Sequence, residues 1–187
     1  MASSHLILGG ARSGKSRFAI ATQPARARVA FVATAEARDA DMTRRIEQHR
    51  AGRPRHWLTV EEPCELVPTL ERLAGQAPDA IIVDCLTLWV SNRMLRGDDD
   101  TRIVAEAERL AGFVAGRHVA LVVVSNEVGQ GVHPPTADGI RFRDVLGLVN
   151  QRVAAACDEV TLMVAGLPLA VKSPSPPLIH EITPQAP

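Results

Sequence analysis

Eight residues near the N-terminus, Gly9, Gly10, Ala11, Arg12, Ser13, Gly14, Lys15 and Ser16, fit the spacing G-x-x-x-x-G-K-[ST]. Those residue types at that spacing suit one task. Glycines let the backbone wrap closely round a phosphate with its N–H groups turned inward. The helix that follows adds its positive N-terminal end. Lys15 can reach the β- and γ-phosphates, and the Ser16 hydroxyl can ligate Mg²⁺. The chemistry indicated is that of a nucleoside triphosphate, although the loop says nothing about which bond breaks. Such a site also needs a carboxylate at the end of a neighbouring strand to hold the metal, directly or through water. Asp84, which closes the run DAIIVD, fits that role; its plainer alternative is an N-cap for the next helix. Glu127, at the end of VVVSNE, could activate a substrate hydroxyl or support the metal, or it could be an ordinary loop carboxylate.

A second stretch, RRIEQHRAGRPRHW from Arg44 to Trp57, holds five arginines and two histidines. A basic run is usually a solvated surface. Here Arg45 and His49 stand four apart and share one helix face, and Gly52, Arg53 and Pro54 stop the helix with Arg50 and Arg53 near its end. That cluster can grip a polyphosphate. Cations around His49 disfavour imidazolium and leave a neutral ring nitrogen, which is a nucleophile. The same arginines can neutralise charge that builds on phosphate oxygens. His56 is the rival nucleophile and reads as structural. His5, His118, His133 and His180 have no comparable neighbourhood.

These residues need a frame. HLILG (His5 to Gly9), ARVAFVATA (Ala27 to Ala35), DAIIVD (Asp79 to Asp84), HVALVVVSNE (His118 to Glu127), EVTLMVAG and LPLAVK read as strands. Between them, Lys15 to Thr22, Asp39 to Gly52, Glu62 to Leu73, Leu86 to Leu95, Thr101 to Ala115 and Phe142 to Cys157 read as helices, with Pro68 leaving the start of the third uncertain. Strands that alternate with helices and are apolar along their whole length predict an α/β fold, a mainly parallel sheet covered on both faces. Ligands of such sheets sit at the carboxyl ends of the strands, where both the loop and Asp84 fall.

Composition narrows the partners. The 187 residues predict one domain over positions 1–172, followed by a proline-rich, mobile tail over 173–187. Lys plus Arg equals Asp plus Glu at 21 each, and aromatics are 3% with no tyrosine, which argues against a nucleic-acid partner. The three cysteines, Cys64, Cys85 and Cys157, are far apart and fit a reducing compartment rather than a disulfide or zinc framework. No run reaches the roughly 18–20 apolar residues of a membrane span. The expectation is a soluble, cytoplasmic protein.

Taken together and in order, GGARSGKS, RIEQHRAGRP, VDCLTLWVSN, VSNEVGQGVHP and FRDVLGLVNQRVA resemble the bifunctional adenosylcobinamide kinase and adenosylcobinamide-phosphate guanylyltransferase family of cobalamin biosynthesis, from about His5 to Lys172. The resemblance implies a P-loop NTPase fold like the recombinase core, assembled as a homotrimer. It implies ATP, GTP and Mg²⁺, with adenosylcobinamide and its phosphate as substrates. The first reaction phosphorylates the hydroxyl of the aminopropanol arm; the second transfers GMP from GTP through a guanylylated histidine, which corresponds to His49. Gln48 stands here where members carry a first of two adjacent histidines. Nucleotide contacts of the family fall on Gly9 to Ser16, on Thr34, Ala35 and Glu36, on Arg50, Ala51, Gly52 and Arg53, on Glu61 and on Asp84. His49 and Lys15 are the expected catalytic residues, Ser16 and Asp84 the metal ligands. The alternative is a P-loop small-molecule kinase with no covalent nucleotidyl intermediate; a recombinase-like ATPase and a non-catalytic nucleotide-binding regulator are remoter readings.

Overall fold

The computed structural model describes residues 2–174, except for the side chain of Arg45. In chain order the elements are β1 (Ser4–Gly9), α1 (Lys15–Ala21), β2 (Val29–Ala33), α2 (Ala40–Ala51), β3 (Leu58–Glu61), α3 (Leu66–Ala74), β4 (Ala80–Asp84), α4 (Leu86–Leu95), α5 (Asp100–Ala115), β5 (Ala120–Val124), α6 (Ala137–Ala156), β6 (Glu159–Val164) and β7 (Leu167–Lys172). One seven-stranded sheet runs β3-β2-β4-β5-β1-β6-β7. β1 to β6 are parallel, and β7 returns antiparallel beside β6. The P-loop α/β architecture expected from the sequence is the one observed. The proline-rich tail beyond residue 174 lies outside the described residues.

Alternate residues of the central strands serve opposite faces, which is why these runs are apolar throughout. Leu6, Val32, Ile81, Val83 and Val123 join a large core with Leu70 of α3, Trp89 of α4, Leu110 of α5 and Val149 of α6. Ile7, Phe31, Ile82 and Val124 point the other way, into a smaller core closed by Ala19 of α1 and by Trp57. The two faces are therefore unequally covered. Four helices pack on one; the short α1 and the segment after α2 serve the other.

Sequence and structure differ at boundaries with physical causes. β3 has no apolar run because it is a short edge strand whose residues are exposed or half-buried; it pairs with β2 from Ala30↔Leu58 to Ala33↔Glu61. α6 begins at Ala137 rather than Phe142, because Thr136 caps it by accepting from the Gly139 N–H at 3.1 Å. β5 stops at Val124, so Glu127 lies in the loop beyond it. Pro68 sits in the first turn of α3, where its missing N–H has no helical partner to lose. No helix among the described residues is long and apolar enough to cross a membrane.

One half-buried histidine near the amino edge of the sheet makes the fold sensitive to acid. His5 shares a hydrogen bond of 2.8 Å with the Thr161 hydroxyl and meets the Phe18 ring edge-on at 6.2 Å. Burial lowers its pKa below 6.5, against the opposing charge of Glu159. In acid the unfolded chain then takes up this proton before the folded one does, so stability falls as pH drops through and below 6.5. Urea titrations from neutral pH to about pH 5 should show this loss in the wild type, and His5→Gln should remove part of the slope.

Candidate active site

Two carbonyls, those of Gly9 and Gly10, hold the phosphate loop. Gly9 ends β1, and its C=O accepts from the Lys15 ammonium at 2.9 Å and from the Glu127 backbone N–H at 3.1 Å. Lys15 also donates to the Gly10 carbonyl at 2.6 Å. The ammonium thus closes the loop on itself. Burial lowers the Lys15 pKa, while the nearby Cys85 and Asp84 oppose that shift. Two positions need glycine. Gly9 has φ +149°, and a Cβ there would lie 2.6 Å from the Met163 carbonyl oxygen and 2.7 Å from Ser13 Oγ. Gly14, at φ +95°, turns the chain into α1. Gly10, Ala11 and Arg12 form the exposed rim, with Arg12 itself left-handed at φ 57°. The Ser13 hydroxyl is buried without a protein partner.

From this loop a row of alternating charges runs along the carboxyl edge. Asp84, at the end of β4, bears on both Lys15 and Arg53. The Arg53 guanidinium stacks 3.7 Å above the Phe31 ring. Burial weighs against its charge; Asp84 and Glu61 support it and Arg50 opposes it. Arg50 in turn lies 3.8 Å from Glu61 at the end of β3. Its two members nearest the loop, Lys15 and Asp84, adjoin Cys85, whose thiol is pushed up to about 11 by burial and by Asp84, so Cys85 is no thiolate nucleophile at neutral pH.

Beside this row a cleft of about 550 Å³ opens at the ends of β2 and β3; Ala35, Glu36, Ile46, Arg50, Arg53 and Glu61 all contribute to its lining. The structure therefore brings together five of the residues expected at a nucleotide, drawn from three separate segments. Others are placed differently. Thr34 is fully buried and its polar groups are committed to the fold: its N–H donates to the Asp84 carbonyl, its hydroxyl bonds both the N–H and the carbonyl of Cys85, and its carbonyl accepts from Asn92. It ties the end of β2 to the Asp84–Cys85 turn and to α4, and offers no free side-chain group. Ala51 and Gly52 lie exposed at the end of α2. His49, in the last turn of α2, is exposed and outside the cleft lining, one residue from Arg50, which is inside it. None of the described side chains of α2 is buried; Met42 and Ile46 are half-buried. His56 bonds the Ala27 carbonyl at 3.3 Å, in keeping with a structural role.

Glu127 sits beside the phosphate loop, but its carboxylate accepts from Gly129 N–H at 2.7 Å. Asn150 is buried and donates to the Asn126 carbonyl, so it holds the Glu127 loop rather than forming surface. Among the described residues no group of three or more His, Cys, Asp or Glu could hold a metal. The oxygens that could hold a cation at the loop are those expected from the sequence, the Ser16 hydroxyl and the Asp84 carboxylate. Two hard oxygens beside a phosphate site fit Mg²⁺, which takes few protein ligands and completes its shell with phosphate and water.

The sequence matches the family described as cobinamide kinase / cobinamide phosphate guanyltransferase over residues 5–171. The chain belongs to the cobinamide kinase / cobinamide phosphate guanyltransferase family. It is 46% identical to the bifunctional adenosylcobalamin biosynthesis protein CobP of Pseudomonas aeruginosa, with 89% of this chain and 96% of that protein covered. Against the bifunctional adenosylcobalamin biosynthesis protein CobU of Salmonella typhimurium the identity is 39%, covering 89% and 98%. Among solved structures, a prototypical ATPase from the type III secretion system of pathogenic bacteria superposes with a TM-score of 0.57 at 12% identity, over 90% of this chain and 56% of that one. That likeness concerns the fold alone. The cobinamide kinase family match runs from β1 to β7 and so takes in both the loop and the cleft.

Gly9 gives the sharpest test of the loop geometry. Gly9→Ala drives a Cβ into the Met163 backbone oxygen. We expect a folded but destabilised protein, by about 1–3 kcal/mol, that no longer binds a nucleoside triphosphate by calorimetry. Unchanged affinity would show that this approach is not needed.

Proposed function

We propose that this chain carries out both reactions of its family at one edge of one sheet: phosphorylation of adenosylcobinamide by ATP or GTP, then transfer of GMP from GTP to give adenosylcobinamide-GDP. The observation that supports this best is the continuity of the Lys15 loop with the arginine-lined cleft through Asp84 and Arg53. A triphosphate on the loop can extend its nucleoside into the cleft. In the kinase step the substrate hydroxyl oxygen attacks the γ-phosphorus and the nucleoside diphosphate leaves, with Lys15 and the backbone N–H groups neutralising the phosphate oxygens. Ser16 and Asp84 would hold Mg²⁺, which supplies charge neutralisation on the phosphates when bound.

In the second reaction a ring nitrogen of His49 attacks the α-phosphorus of GTP. A P–N bond forms and pyrophosphate leaves. A phosphate oxygen of the adenosylcobinamide phosphate then attacks the same phosphorus, the P–N bond breaks, and a phosphoanhydride results. Arg50 and Arg53 would stabilise the charge developing on the α-phosphate. For this α2 must carry His49 inward from its exposed position. That none of its described side chains is buried makes the motion inexpensive. Family resemblance also supports a homotrimer in the cytoplasm, and the exposed Leu167, Leu169 and Val171 of β7 offer an apolar surface for assembly.

The exposure of His49 favours one other reading, a kinase in which α2 serves only as a phosphate lid. Incubation with Mg²⁺ and α-³²P-GTP, followed by denaturation, separates the two. We expect label on the chain that is acid-labile and alkali-stable, retained in His56→Ala and lost in His49→Ala. An unlabelled wild type that still transfers the γ-phosphate would leave only the kinase.

A further inference from the structure

Helix α4 follows Asp84 and carries a buried polar stripe that neither reaction uses. Trp89, Asn92, Arg93 and Arg96 recur at the spacing of one helix face. Trp89, Asn92 and Arg93 are almost wholly buried. The Trp89 indole N–H donates to the Cys64 carbonyl at 2.7 Å. Asn92 does more. Its amide nitrogen donates to the Thr34 carbonyl at 2.7 Å and to the Pro63 carbonyl at 3.2 Å, and its oxygen accepts from Arg38 at 3.3 Å. Arg38 also binds Glu36, and the other oxygen of Glu36 accepts from Arg96 at 2.9 Å. The path Asn92–Arg38–Glu36–Arg96 thus leaves α4 and returns to it one turn later.

We propose that Asn92 is a positioning residue for nucleoside binding, acting through the two walls of the cleft, with Arg96 as its partner at the rim. The inference rests on the reading that the cleft takes the nucleoside end of the triphosphate. Ala35, Glu36 and Arg38 form one wall and Glu61 and Pro63 form part of the other. Asn92 is bonded to both segments. A buried amide costs stability unless it is fully bonded; an apolar residue would fill this place in the core without that demand. What the amide adds is a tether between the two segments that run on past the last ladder pair of β2 and β3, Ala33↔Glu61, where the strands no longer hold each other. Arg96 then sets the Glu36 carboxylate, held below the usual carboxylate range by its hydrogen bonds to Arg38 and Arg96. None of these bonds touches the phosphate loop.

The test follows from that separation of tasks. Inorganic triphosphate can use only the loop and the arginines beside it, whereas GTP also places its nucleoside in the cleft. For Asn92→Ala we expect GTP affinity to fall roughly tenfold, as for a lost buried hydrogen-bond clamp, with triphosphate affinity unchanged. Arg96→Ala changes an exposed residue that leaves the core intact, and should weaken GTP binding by a few-fold with the same split. Equal losses for both ligands in the two variants would mean general destabilisation and would overturn the proposal. Glu61→Gln, which alters the lining without touching the Asn92 bonds, separates the two layers of the argument. If Glu61→Gln weakens GTP binding and neither α4 variant does, Asn92 has no positioning role. If all three bind GTP as the wild type does, the nucleoside does not occupy the cleft and both readings fail.

Discussion

The phosphate site depends on the Gly9 carbonyl. Two donors converge on it, the Lys15 ammonium from α1 and the Glu127 N–H from the segment after β5. The first folds the phosphate loop; the second ties that loop to the neighbouring strand. The loop backbone also passes so close to Met163 of β6 that no side chain fits at position 9. The requirement for glycine is therefore set by the approach of β1 to β6 and by Ser13 of the loop itself. The cation at the centre of the site is placed by backbone oxygens, and burial keeps its charge weakly solvated, the condition under which it interacts most strongly with a polyphosphate.

The unequal cover of the two faces connects packing with chemistry. Helices α3 to α6 share the large core and fix the strand ends from one side. On the other side the second core is small, and α2 contributes none of its described side chains to it. α2 is anchored by the Asp39 cap at its start, by the Arg50–Glu61 ion pair near its end and by Arg53 stacked on Phe31 beyond it, and buries none of its described side chains between. A rigid loop beside a weakly packed basic helix is what two reactions at different phosphorus atoms of one ligand type need. In the proposed function the phosphates would stay and the attacking group would change.

How much of this was legible in the sequence depended on locality. The phosphate loop is eight consecutive residues with one steric purpose, so its spacing alone revealed it. The central strands were visible because each serves two cores and is apolar throughout. β3 was not, since an edge strand with half-exposed residues carries no such signal. The cleft gathers Glu36, Arg50 and Glu61 from three segments, and family resemblance, not periodicity, grouped them beforehand. Asn92 escaped notice for the opposite reason: on a helix its polarity reads as surface, and only the neighbouring Trp89 and Arg93 at helical spacing hinted that this face turns inward. Thr34 was expected to contact a ligand, yet its partners are Asp84, Cys85 and Asn92.

The central claim is that one phosphate cradle serves both transfers. Lys15→Met keeps the length of the side chain and removes its charge. Assayed separately for γ-phosphate transfer to adenosylcobinamide and for guanylyl transfer to its phosphate, this variant should lose both activities together, each by about a hundredfold or more. Loss of the first with the second intact would contradict the account, because GTP would then have to be held for guanylyl transfer somewhere other than the Lys15 loop.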